Sequence, residues 1–289
     1  SFITLIISPF KIDRDYGEMT CYFARERLPV VVPTEPICGT TSPVTLAGNV
    51  LTHIAETLGG IALVQSVQKG APGICGSVGS ITNLHTMDHL GGPIERAMIN
   101  AAVAQLAQHF ELPLYSTAGT TDAQQVGIQS TFESAMSSLL VAMSGANFIH
   151  DIAGVMESDL TVSYEKLAID NEILGMCQRV LRGIEVDDER LAVDLLIEKE
   201  PESDYMMEDH TLKHMRQEFF APQLANRRKR EHTLIDHSPV VRARKMVEKI
   251  CTAPAESHLA PGTRKNILDT FPEIRTLDEG GAHHATSNA

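Results

Sequence analysis

Five times in succession, a short and nearly continuous apolar run is followed by a longer stretch with helical spacing. The runs are Ile3–Ser8, Pro29–Val32, Gly73–Val78, Leu114–Ala118 and Asn147–Ala153. The stretches after them predict helices over Asp13–Arg27, Val44–Gln68, Pro93–Phe110, Asp122–Met143 and Tyr164–Arg182. Runs this short, apolar without alternation, read as strands covered on both faces. Strands that alternate with helices of ten or more residues imply βαβ units and a parallel sheet. Cap residues agree: Ser42-Pro43 and Gly91-Gly92-Pro93 precede the second and third helices, and Gly145 and Gly183 follow the fourth and fifth.

Five units leave two architectures open. One is an open doubly wound sheet; the other is the later part of a (β/α)8 barrel without its first three βα units. The sequence has no G-x-G-x-x-G and no G-x-x-x-x-G-K-S/T, which weakens the nucleotide-binding form of the first. Beyond Arg182 the character changes. Charged helices are expected over Asp187–Lys199 and Asp209–Phe220, then a polar, basic and partly helical stretch over Arg227–Ile250. The expected division is a partial barrel over residues 1–200, a helical extension over 201–277 and a disordered Gly/His/Ser-rich tail over 278–289.

Composition narrows the function classes. The net charge is −13, and the one basic run is Arg227–Arg230, so no nucleic-acid partner is expected. The five cysteines are scattered without a C-x-x-C, as in a reducing cytoplasm. The start, SFITLIISPF, has neither the basic n-region nor the cleavage site of a signal peptide. No apolar stretch is expected to reach a membrane span of roughly 18–20 residues. His210 and His214 stand at i, i+4 without the Glu of H-E-x-x-H, and His283-His284 lies in the tail; no metal site is expected.

The turn Gly119-Thr120-Thr121-Asp122, between a buried strand and a helix, is where parallel α/β proteins place their chemistry. Asp122 there reads either as a loop-positioning or electrostatic group or as the N-cap of the helix that follows. Gln129 and Glu133, one helical turn apart, support each other.

Several segments, taken in order, resemble the trimethylamine methyltransferase family. They are SPVTLAGNVLTHIAETLGGIALVQSVQKGAPGICGS, TTDAQ, AMSGAN, GVMES, SYEKLAIDNEILGMCQRVLRGIEV and EDHTLKHMRQEFFAPQL. The resemblance runs from about Ser8 to Arg230. It implies a TIM-barrel fold and transfer of a methyl group from a methylated amine to Co(I) of cobalamin held on a separate corrinoid protein. No cofactor is then bound directly, and the partners are a cognate corrinoid protein, a small methylated amine and a second copy in a homo-oligomer. Family members are longer at the N-terminus by three βα units, which implies a fragment or a shortened homologue. With standard residues throughout, the sequence resembles the branch without pyrrolysine, whose members use quaternary amines such as glycine betaine.

A quaternary ammonium leaves as a neutral tertiary amine, so the protein's work is to hold a cation and aim one methyl. Aromatic faces and carboxylates do this, and the face at the strand ends is the place for them. The substrate-binding candidates are Glu35, Ser77, His85, Asp122, Gln124, His150, Glu157 and Tyr164. No catalytic residue is assigned. Gln124 replaces the family's usual Lys, Gly127 its Asp, and Asn83-Leu84-His85-Thr86 departs from Asp-Met-Arg-Thr-Gly. These departures support an alternative, a catalytically degenerate homologue that binds betaine or mediates assembly.

Overall fold

The computed structural model describes residues 1–229, 238–254 and 259–274. The chain divides into two compact units, Ser1–Glu248 and Lys249–Ala289. The first is built on five parallel strands: β1 (Phe2–Ile3), β2 (Val30–Val32), β3 (Gly73–Gly76), β4 (Leu114–Thr117) and β5 (Phe148–His150). They pair strictly in chain order. The helices that follow them are α1 (Arg14–Arg25), α2 (Leu46–Val67), α3 (Ile94–His109), α4 (Ile128–Met143) and α5 (Tyr164–Arg182). Each helix packs on the next, α1 on α2 through to α4 on α5, so all five form one row on one side of the sheet. A doubly wound sheet reverses its strand order and puts helices on both faces. Neither occurs here, and the sheet curls as a half-barrel.

The core lies between that helix row and the outer face of the sheet. Val30 and Val32 pack with Ala24 and Val64; Cys75 and Leu114 pack with Ile54, Val103 and Ala107. Gly60 lets α2 approach β2 closely, because a Cβ there would meet Val32 Cγ1 at 2.2 Å. A further cluster joins Ile169, Ile173 and Cys177 of α5 to Leu224 and Ala243.

Local chemistry shifts several expected boundaries. The first apolar run breaks: Ile6–Ile7 leaves β1 and forms a hairpin with Lys11–Ile12. Thr45, not Ser42, caps α2, accepting from the Gly48 N–H. Pro93 occupies the N-cap of α3. The α4 helix starts at Ile128 rather than Asp122, behind a Gly127–Ser130 cap. The expected helix over Asp187–Lys199 splits into α6 (Asp188–Leu191) and α7 (Val193–Glu198), because Ala192 turns left-handed with φ 49°. Downstream come α8 (Asp209–Glu218), α9 (Pro239–Thr252) and, within the second unit, α10 (Thr263–Thr270). The tail over 278–289, with His283-His284, lies outside the described residues.

By length and composition α2 is apolar enough to cross a bilayer, contrary to expectation. Its buried polar side shows why it packs as a core helix. The Asn49 amide donates to Pro36 O at 2.6 Å, and Thr57 Oγ1 donates to Gly76 O at 3.3 Å. Glu56 accepts from Ser8, Thr34 and the Phe10 N–H. His53 is wholly buried, its Nε2 3.1 Å from Gly76 O, and burial pushes its pKa from 6.5 to about 4.

A second buried device joins the fourth and fifth βα units. Lys166 on α5 donates to Asp170 at 2.5 Å, Ser134 at 2.7 Å and Gly119 O at 3.0 Å. Asp170 also accepts the Gly154 N–H at 2.8 Å. Burial lowers the Lys166 pKa and raises that of Asp170.

Two outcomes follow from these groups. The depressed His53 pKa means that the unfolded chain takes up a proton the folded chain refuses. Stability therefore falls as pH drops from 6.5 to about 4, by about 3 kcal/mol in total. Urea titrations across that window will show the slope, and H53Q will flatten it. Replacing Lys166 with Met strands a buried carboxylate and costs about 3–5 kcal/mol; chemical denaturation will show K166M/D170L less destabilised than K166M.

Candidate active site at the carboxyl ends of the strands

On β4 and β5, Tyr115 pairs with Phe148 and Thr117 with His150. Leu114 points into the helix layer, so the two-residue period sends Tyr115, Phe148 and His150 to the opposite, inner face of the curl. Three rings stack there. Phe148 and Tyr115 lie 5.1 Å apart at 8°, and Tyr115 and His150 lie 4.4 Å apart at 11°. Burial, and then the charge of Asp151, push the Tyr115 hydroxyl pKa up.

At the top of this ladder the His150 Nδ1–H donates to Asp151 Oδ2 at 2.7 Å. The contact turns Nδ1 to the carboxylate and Nε2 away from it. Among the described residues, His150 Nε2 and the buried Thr117 Oγ1 have no hydrogen-bond partner. The bond from His150, with the Arg96 charge beyond it, holds Asp151 below the usual carboxylate range.

The loops around the ladder are tied by Asp122. Its Oδ1 accepts the N–H groups of Gly91 at 2.7 Å and Gly92 at 3.1 Å, and the Ser158 hydroxyl at 2.7 Å. One oxygen thus joins the loops that follow β3, β4 and β5. The N-cap reading is corrected, since α4 begins six residues later, at Ile128. Glu133 reaches back from α4 to the Thr121 hydroxyl and the Asp122 N–H, while Gln129 donates to its other oxygen at 2.9 Å. Arg96, on the first turn of α3, donates to Thr120 at 2.7 Å and pairs with Asp159 at 3.2 Å. Gly119 turns the chain at φ 80°, and a Cβ there would meet Ile152 O at 2.2 Å.

The other residues singled out from sequence scatter. Glu35 pairs with His89 at 3.2 Å, and His89 also meets Ser80 at 2.7 Å. His85 is exposed at the tip of the hairpin made by Ser80–Thr82 and His89–Leu90, in a turn closed on Asn83. Ser77 is wholly buried and donates to Asn100 at 2.5 Å, so it belongs to the packing beneath the loops. Gln124 is exposed. Glu157 is half-buried with φ 51°, directly before the Ser158 that Asp122 holds. Tyr164 opens α5 and is exposed. His210 and His214 both turn Nε2 to Glu189, at 3.1 and 3.0 Å.

Sequence reasoning missed Tyr115, Arg96 and His89. Tyr115 has a readable signal, the single aromatic of its strand. Arg96 and His89 have none without their partners. Six carboxylates, of Glu35, Asp122, Glu133, Asp151, Glu157 and Asp159, collect on these loops and on α4 beside them, with the Arg96 guanidinium among them. Of the six, Asp151 is the one in direct contact with the ladder, through His150.

Removing the tie exposes its role. D122A orphans two loop N–H groups and costs about 2 kcal/mol locally. Amide exchange at Gly91 and Gly92 will then accelerate about 30-fold, with smaller changes in the α2 core.

Comparison with known proteins places the chain. Residues 2–278 match the family described as trimethylamine methyltransferase (MTTB). The trimethylamine methyltransferase MttB of Desulfitobacterium hafniense strain DCB-2 is 38% identical over 209 residues, covering 72% of this chain and 42% of the relative. The glycine betaine methyltransferase of strain Y51 is 32% identical over 222 residues, covering 76% and 46%. The MttB of Methanosarcina barkeri strain Fusaro is 39% identical over 187 residues, covering 65% and 38%. The chain thus spans less than half the length of these relatives. The family match over residues 2–278 and the relatives that cover more than two thirds of the chain show that it belongs to the trimethylamine methyltransferase family.

Proposed function

We propose that the five βα units are an arc of a (β/α)8 barrel whose strand ends bind a methylated amine for methyl transfer. The substrate class is a quaternary amine of the glycine-betaine kind, or trimethylamine, and the methyl acceptor is Co(I) of a corrinoid on a separate protein. The observation that carries this reading is the stacked Phe148–Tyr115–His150 ladder beneath a carboxylate-rich rim. Relatives named for trimethylamine and for glycine betaine support the same substrate class.

The chemistry asked of the residues is modest. The corrinoid on the partner supplies the nucleophile, and a quaternary nitrogen departs as a neutral amine. The protein therefore holds and orients. The aromatic floor and the Asp151 and Glu157 carboxylates attract the onium group. His150 is held in place by stacking on Tyr115 and by its contact with Asp151. Asp122 and Glu133 act at one remove, by setting the loops that carry Glu157 and Asp159.

Kinetics with the full-length protein, glycine betaine or trimethylamine, and Co(I)-cobalamin test the reading through release of the demethylated amine. E157Q and D151N are expected to raise KM about 5–10-fold with kcat nearly unchanged, since each removes charge that favours substrate and transition state alike. An unchanged KM in both variants rejects the cation-holding role. Tight amine binding without turnover in the parent protein selects the degenerate, binding-only alternative.

A further inference from the structure

Between β5 and α5 the chain forms a small hairpin. Val155–Met156 pairs antiparallel with Thr161–Val162, and the Ser163 N–H closes the base by donating to Gly154 O at 2.9 Å. That base is fixed twice. Asp170 accepts the Gly154 N–H at 2.8 Å, and Ser163 is the N-cap of α5. The tip is Glu157-Ser158-Asp159-Leu160, and its first three residues are left-handed, with φ 51, 52 and 75°.

Left-handed turns match the twist of a hairpin, but they are built from Gly, Asn and Asp. Glu157 and Ser158 belong to none of these types, so the tip stores strain that outside contacts must offset. Within the tip, the Leu160 N–H donates to Glu157 O at 3.2 Å. The other contacts come from neighbouring units. The Ser158 N–H donates to Thr121 O at 3.1 Å and its hydroxyl to Asp122 Oδ1 at 2.7 Å. The Glu157 N–H donates to Ala123 O at 3.4 Å, and Asp159 pairs with Arg96 at 3.2 Å.

Little apolar packing adds to these polar contacts. Met156 is buried, but residues 159–162 are exposed, Leu160 at 85% and Val162 at 69%. Among the described residues, 155–162 contribute nothing to the core clusters. A segment that is strained, exposed and held at its tip by polar contacts lies at the low end of local stability. Undocking relieves the left-handed residues and gives the tip N–H groups to water. What opposes it most is Arg96, which is buried and would lose its carboxylate.

We propose that residues 155–162 are a strained flap, latched onto the loops after β3 and β4 by Ser158 and Asp159, which opens as a local unit about its base at Gly154 and Ser163. Opening withdraws Glu157 and Asp159 from the carboxyl ends of the strands. The flap stands apart from the proposed activity and does not rest on it.

Native-state hydrogen exchange of the full-length protein in low urea, read by mass spectrometry over peptides spanning 155–163, tests it. Exchange in the flap will be about 100-fold or more faster than in α3, and nearly independent of urea, because local opening exposes little surface. Among the described residues the Glu157 carboxylate has no partner, so E157G relieves a left-handed residue without breaking a bond. It will slow flap exchange about 5-fold. E157A removes the same carboxylate but keeps the strain, and will stay within about twofold of parental. D159A breaks the pair with Arg96 and will speed exchange about 10-fold. Exchange in α3 will stay parental in all three variants, which shows that the fold is intact. A flap with the urea dependence of α3 overturns the proposal. So does E157G exchanging no more slowly than E157A, or D159A at the parental rate.

Discussion

Carboxylates that gather backbone N–H groups hold this structure's loops in place. Glu56 joins the loops after β1 and β2 through the Phe10 N–H, Ser8 and Thr34. Asp122 collects Gly91, Gly92 and Ser158. Asp170 takes Gly154, and Glu172 takes three successive N–H groups at Gln223, Leu224 and Ala225. A parallel sheet leaves its connections to cross from strand end to helix start, where backbone donors have no ladder to join. A charged acceptor satisfies two or three of them at once, more strongly than a neutral one. Part of the acidic balance is therefore structural and not only a matter of solubility.

The same device links fold to site. The ladder of Phe148, Tyr115 and His150 is fixed by strand register, which the helix row and its core impose. The rim is fixed by Asp122, Glu133 and Arg96, which bond loops from three different units. The rigid part supplies aromatic surface and the tied loops supply charge. The proposed cation site needs both parts.

The succession of βα units was legible because buried parallel strands and amphipathic helices impose different periods on hydrophobicity. The boundaries that slipped did so for local reasons. Thr45 outcompeted Ser42 as a cap, Ala192 broke a helix by turning left-handed, and the Thr120–Val126 loop stayed out of α4 to bond its neighbours. Within the site, the adjacent His150 and Asp151 could be read from sequence. Tyr115 beside His150, and His89 beside Glu35, were not visible, since strand pairing and a hairpin turn bring them together.

The residue pattern by itself determined the order of the elements, the parallel sheet and the family resemblance. It did so because each depends on residues close in the chain or on motifs in a fixed order. Only the tertiary structure decided between singly and doubly wound arrangements, because strand neighbours and the side of each crossover are set by long-range pairing. It also decided what Asp122 is for. A carboxylate ahead of a helix reads as a cap, and only the return of two other loops to within 3.1 Å turns it into the tie of the candidate site.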